Sequence, residues 1–207
     1  MKKTTAILIS SLAAFIIIVT WVGRGYNQIT IEAENTARAW ADVEANYQRR
    51  ADLLPNLVEA AKAAGAREAK TFTQVAEARA NATNIKIDAE NITEQNLQAF
   101  QKAQGQVAGA LSRLIAMKES YPQLKSNEAF LKLQREIAVT ENRIAASRYT
   151  FGEQARDYNT KIREVPNNIV AMITGYKAKP YFKADEGAQF ATKVDFGYDK
   201  KAENAEE

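Results

Sequence analysis

The sequence predicts an all-α protein: an N-terminal transmembrane helix followed by an antiparallel, four-helix-type bundle of long helices. Three observations predict it. Residues 4–23 carry no charge and are apolar almost throughout. Further on, apolar residues recur at every seventh position over most of the chain, the pattern of helices that pack along their length. Only four prolines and nine glycines interrupt 207 residues rich in Ala, Glu, Gln, Lys, Arg and Leu, a composition that suits long helices. The expected organisation is a cytoplasmic stub and membrane anchor over residues 1–25, a helical bundle over 26–176 and an irregular C-terminal tail over 177–207.

The anchor comes first. A bilayer core takes about 20 apolar residues in a helix, and a helix satisfies its own backbone hydrogen bonds in lipid. Ala6, Phe15, Ile17 and Trp21 mark the lipid-facing segment, with Trp21 placed as an interfacial residue. A cleavable signal peptide is the competing reading. The run is longer than a usual signal core, and Val19-Thr-Trp-Val-Gly-Arg24 lacks the paired small residues of a cleavage site. Lys2, Lys3 and the terminal amine lie on one side of the run and Arg24 on the other, so the positive-inside bias leaves the N-terminus in the cytoplasm and places the bundle outside it. Gly23 and Gly25 are read as a swivel between anchor and bundle.

A first long helix is expected over residues 26–81. Tyr26, Ala33, Trp40, Tyr47, Leu54 and Ala61 lie seven apart, with Ile29, Val43, Leu57 and Ala64 beside them. Pro55 cannot donate to the carbonyl of Ala51. It either kinks one continuous helix or, with Asp52 as a cap, starts a new one in a tight hairpin. Residues 81–91 read as a polar connector, and Asn91 with Glu94 as a capping box. The sequons at Asn81 and Asn91 are read as chance. A second helix is expected over 92–119 on Phe100, Val107 and Leu114, with Gly105 and Gly109 allowing close approach of a neighbour. Pro122 disfavours helix at Tyr121. Ser126 or Asn127 then caps the cleanest helix, with Phe130, Ile137, Ile144, Phe151, Tyr158 and Val165 in one row. A short apolar helix over 169–174 stops at Gly175. Phe182, Phe190, Phe196 and Tyr198 are docking points in the tail, and residues 200–207 are expected to fray.

Composition narrows the chemistry. Cysteine and histidine are absent. This removes disulfides, lipid attachment through cysteine, the commonest general base and the commonest metal ligand. No glycine-rich phosphate loop is present. The formal net charge of +3 includes Lys2 and Lys3, so no basic patch argues for nucleic acid. Glu119, Glu128, Glu136 and Glu141 are the carboxylates that could act as acid and base, each on a helix whose charges read as a wet face. No enzymatic activity, cofactor or metal is expected. Arg50 and Glu141 fall beside apolar rows and are read as a structural ion pair between helices.

Several motifs carry a resemblance. They are Arg50-Ala-Asp-Leu-Leu-Pro-Asn-Leu-Val58, Glu119-Ser-Tyr-Pro-Gln-Leu-Lys-Ser-Asn127, Leu133-Gln134, Glu141-Asn-Arg-Ile144 with Arg148, Asp157-Tyr-Asn159, and Pro166 with Gly175-Tyr176. In order and spacing the chain resembles the LemA family of bacterial membrane proteins from about residue 26 to 196. The resemblance implies a membrane anchor and an antiparallel helical bundle, and carries no catalytic residues over. Residues 149–151 read Tyr-Thr-Phe where relatives tend to have Tyr-Asn; if that Asn makes a buried hydrogen bond in them, it is missing here.

The functional expectation is a non-enzymatic scaffold, anchored in the bilayer, that self-associates and serves an envelope protein partner. The alternative is a sensory or small-ligand-binding bundle. The self-association surface is assigned to Tyr26, Trp40 and Tyr47; if Pro55 instead makes a hairpin, Trp40 packs in an ordinary four-helix core. A second helix of about 40 Å would leave the lower half of an about 80 Å first helix uncovered.

Overall fold

The computed structural model describes residues 2–183, with side chains from Thr4 onward. Among them are five α-helices and no strand: α1 (Lys2–Ala63), α2 (Ala69–Asn84), α3 (Glu94–Ala116), α4 (Glu128–Lys161) and α5 (Asn167–Thr174). The all-α expectation holds. Phe190, Phe196, Tyr198 and the expected fraying of residues 200–207 lie outside the described residues.

α1 is one unbroken helix of 62 residues, about 90 Å long at 1.5 Å per residue. It carries the apolar run and then becomes the spine of the bundle. Gly23 and Gly25 lie inside it and Pro55 does not end it. The chain turns instead at Gly65, whose φ of 87° lies in the left-handed region that suits glycine. The expected helix over 26–81 is therefore two helices. The change of apolar phase after Ala64 is the sequence trace of that turn.

From Gly65, α2 folds back along α1. Arg79, near the far end of α2, bonds to the Ala51 carbonyl. Residues 85–93 form the connector, with Ile87 and Ile92 buried. α3 is capped two residues later than expected. Thr93 and Asn96 form the reciprocal box, with Asn96 N to Thr93 Oγ1 at 3.2 Å and Thr93 N to Asn96 Oδ1 at 2.8 Å. Asp88 and Asn91 instead close a 3-10 turn. α3 ends at Ala116, and two 3-10 turns, Met117–Glu119 and Pro122–Lys125, cross the distal tip. There the Tyr121 hydroxyl donates to Glu68 at 3.2 Å. Asn127 caps α4, accepting from Phe130 N at 2.9 Å.

α4 descends the length of the spine. At its upper end Phe130 and Ile137 join Leu54, Leu57 and Leu114 in the distal core. Lower down, Ile144 and Phe151 pack with Trp40, Val43 and Phe100. At the base Tyr158 and Ile162 meet Ile29. Trp40 is thus fully buried and Tyr47 nearly so, while Tyr26 is 45% exposed. Two of the three side chains assigned to a self-association seam belong to the chain's own core. The physical reason is the 34-residue α4, which reaches about 50 Å and covers the half of α1 that α3 leaves bare.

Gly105 and Gly109 do not admit a neighbouring helix. A Cβ on Gly105 would meet nothing within 4 Å, and one on Gly109 only its own helix's Arg113. Close approach occurs at Gly25, where a Cβ would stand 2.8 Å from Asn167 Oδ1 and 3.3 Å from Val170 Cγ2. Gly25 seats α5 on α1 rather than serving as a swivel.

Candidate functional site

Three features of the bundle could serve function: the exposed span, a buried charge in the middle layer, and the chain segment after α5. In the span, Ala6, Phe15, Ile17 and Trp21 are all exposed, Phe15 and Ile17 by about two thirds. Among the described residues, α1 is the one helix long and apolar enough to cross a membrane, and none of its apolar window is buried. An apolar surface of that size belongs in lipid.

Arg50 sits in the middle layer, 3% exposed. Its Nη1 donates to Glu141 Oε1 at 3.0 Å, so the two expected partners do meet. The arrangement contains more than the sequence suggests. Nη2 donates to the Gln104 carbonyl at 3.0 Å and to Gln104 Oε1 at 2.6 Å. The guanidinium also lies 4.9 Å from the centre of the Tyr47 ring. One arginine thereby ties α1, α3 and α4. A planar fork with several donors is suited to this, because a buried charge is tolerable only when its donors are met. Nε is buried without a partner. Burial also raises the Tyr47 pKa, against the lowering influence of Arg148 and Arg50.

The segment after α5 has no regular secondary structure but is firmly seated. Asn159 brackets the backbone of Lys179, with Nδ2 to the carbonyl and Oδ1 from the N–H, both at 2.8 Å. The Tyr158 hydroxyl donates to the Lys177 carbonyl at 3.0 Å. Burial, with Tyr176 adding to it, pushes the Tyr158 hydroxyl up to about 12. Lys179 Nζ reaches the carbonyls of Ala89 and Glu90. Its burial lowers its pKa, opposed by Asp88 and Glu90. Phe182 stacks on Trp40 at 6.2 Å, and the Arg148 guanidinium covers Phe182 at 4.7 Å. The first seven residues of the expected tail are therefore a strap across α4, α1 and α3. The motif residues Asp157-Tyr-Asn159 and Arg148 supply its clasp through Tyr158, Asn159 and Arg148.

Of the carboxylates considered for catalysis, two are paired with a cation and one is exposed. Glu119 pairs with Lys125 at 2.8 Å, and that bond lowers its pKa. Glu141 holds Arg50. Glu128 is exposed in the first turn of α4. Glu136 is half-buried, and its backbone carbonyl accepts from Thr140. Among the described residues no group of three or more acidic side chains could hold a metal ion. Thr150 is exposed, and its hydroxyl donates to the Ala146 carbonyl.

The model of the LemA family matches residues 39–196, three quarters of the chain. The chain belongs to the LemA family. That match takes in Arg50, Gln104, Glu141, the clasp residues and the strap, but not the membrane span. Three curated relatives are similar over nearly the whole chain. Magnetosome protein MamQ of Magnetospirillum gryphiswaldense is 29% identical over 86% of this chain and 70% of its own length. Magnetosome protein MamQ 2 of Paramagnetospirillum magneticum is 26% identical over 86% of this chain and 72% of its own. Protein LemA of Metamycoplasma hominis is 25% identical over 89% of this chain and 80% of its own. In this LemA-family chain, what sequence reasoning missed were Gln104, Arg79 and Lys179, polar residues whose partners lie far away in sequence. Only Gln104 left a trace, as a polar side chain among the apolar positions of α3.

Proposed function

We propose that this LemA-family protein is a non-enzymatic scaffold of the bacterial cell membrane that self-associates. In this reading its bundle stands on the extracytoplasmic side. The observation that carries the proposal is α1. One unbroken helix holds the apolar span at one end and the bundle's spine at the other, so the soluble part is held rigidly at the membrane. The ion pair Arg50–Glu141 then acts in fixing helix register rather than in chemistry.

Orientation follows from Lys2 and Lys3 ahead of the span. Self-association cannot run through Trp40 and Tyr47, which the bundle covers. It falls to the exposed span and to Tyr26 beside it. A second reading, small-ligand binding, is favoured by an opening of about 850 Å³ between α1, the connector and the strap, lined by Thr30, Glu34, Glu90 and Lys177 among others.

Mild detergent extraction followed by native mass determination tests the proposal. A scaffold runs as a defined assembly of many copies, and protease added to spheroplasts digests the bundle. A monomer at all concentrations overturns self-association. Protection of the bundle in intact spheroplasts overturns the orientation.

A further inference from the structure

The base of the bundle carries an apolar face that the fold does not use. α5 is apolar on two opposite sides. One side buries Val170 and Ala171 against Ile29, Tyr158 and Ile162. The other leaves Ile169, Met172 and Ile173 46%, 77% and 73% exposed, and Val165 in the preceding turn is 80% exposed. Ile169, Met172 and Ile173 are three and four residues apart, hence one helix face. Isolated exposed apolar residues are ordinary, but a contiguous group marks a contact surface.

Position identifies the occupant. α5 touches α1 at Gly25 through Asn167 and Val170, two residues past the end of the apolar run. Tyr176, just after α5, packs on Tyr26 at 6.3 Å between ring centres and bonds to Thr30. The buried side of α5 faces Ile29, Tyr158 and Ile162, which form the base of the bundle. Its exposed side is therefore turned away from the bundle, towards the level at which the span enters lipid. Arg24, Arg163 and Lys177, all exposed, flank this end, where cations favour anionic headgroups. We propose that α5 is a second membrane contact, an interfacial helix whose Val165, Ile169, Met172 and Ile173 face enters the acyl boundary of the same bilayer. The span then fixes position, and α5 fixes the rotation of the bundle about the span. The inference rests on the span crossing a bilayer.

The chain has no cysteine, so single sites can be labelled. Met172→Cys, Ile173→Cys, Phe15→Cys in the span and Arg135→Cys on α4 each receive a polarity-sensitive fluorophore. The full chain is reconstituted in vesicles of phosphatidylcholine and phosphatidylglycerol. Both α5 sites are about three-quarters exposed, so the label fits without disturbing the fold. Labels at 172 and 173 should shift to the blue and be quenched by spin-labelled lipid, while the label at 135 stays accessible to iodide. Iodide access at 172 and 173 equal to that at 135, with the label at 15 quenched by lipid, overturns the α5 contact while leaving the anchor intact. An unquenched label at 15 means that the anchor reading itself has failed. Shielding at 172 and 173 that disappears on diluting protein among vesicles identifies a second copy as the occupant and also overturns the proposal.

Discussion

Arg79 donates from Nε to the backbone carbonyl of Ala51 at 2.9 Å, and that carbonyl is the one Pro55 leaves without its helical donor. A proline four residues on has no N–H to give. Ala51 is only 5% exposed, so water does not readily serve it. The guanidinium supplies the missing donor from α2, with Asp52 3.8 Å from its Nη2. This is how one helix passes through Pro55 unbroken.

Arg79→Met should therefore destabilise the bundle by about 1–3 kcal/mol, the cost of an unmet buried acceptor. In a Pro55→Ala background the restored N–H serves Ala51, and the same substitution should cost much less. Thermal unfolding followed by circular dichroism closes the double-mutant cycle. Equal losses in both backgrounds would show that Arg79 acts by packing alone.

The turn at Gly65 sets a distance. Arg79 beside Ala51 places Glu77 near the level of Leu53, nineteen residues above Glu34. Spin labels at Glu34 and Glu77 should then lie about 30 Å apart at 1.5 Å per residue, against roughly 60 Å for an unbroken helix. Pulsed electron resonance reads the value directly, and a long distance would contradict the hairpin at Gly65.

Trp40 is enclosed by Phe100, Phe151 and Phe182. Trp40→Ala should cost about 3–5 kcal/mol, and Trp40→Glu should unfold the domain. A Trp40→Glu variant that kept its melting temperature would return this residue to the surface.

Legibility in the sequence followed periodicity. The apolar run and the seven-residue rows repeat locally, so the span, α3, α4 and α5 could be read to within a few residues. Gly65 could not be recognised as the turn. A lone glycine among alanines is a weak signal, and Pro55 nearby was a stronger one. The reason Pro55 is harmless lies in Arg79, twenty-four residues later, and no local pattern records that. The Arg50–Glu141 pairing was legible because both residues interrupt apolar rows. The burial of Trp40 has no local signature, because it depends on α4 running past the end of α3 to cover the lower half of α1.

Glu141→Ala removes the only carboxylate that pairs with Arg50 among the described residues. Arg50 keeps Gln104, and the Glu141 side chain is 40% exposed, so the loss should be about 1–3 kcal/mol rather than that of a fully buried pair. Arg50→Met removes the buried charge together with its need for partners, and should be milder than Arg50→Ala, which also opens a cavity. Urea unfolding of the four proteins gives the order.

Tyr158 titrates late. Its pKa is raised from 10.0 to about 12 in the folded chain, so the folded state holds this proton more tightly than the unfolded one. The resulting stabilisation is fully present below pH 10 and is lost as pH rises through about 12. Stability measured from pH 9 to 12 should fall less steeply in Tyr158→Phe than in the parent. That variant should also start lower by about 1 kcal/mol for the lost bond to Lys177.

The uninterrupted course of α1 makes the molecule a lever. From Gly23 to Ala63 the rigid arm is about 60 Å long. Membrane-spanning helices tilt by about 20° on average and adjust that tilt to bilayer thickness. A stiff arm tilted through such an angle carries its tip sideways by about 20 Å, roughly two helix diameters. Small changes in the thickness of the lipid sheet are thereby magnified into large displacements of the Gly65 turn and the Tyr121–Glu68 contact beside it.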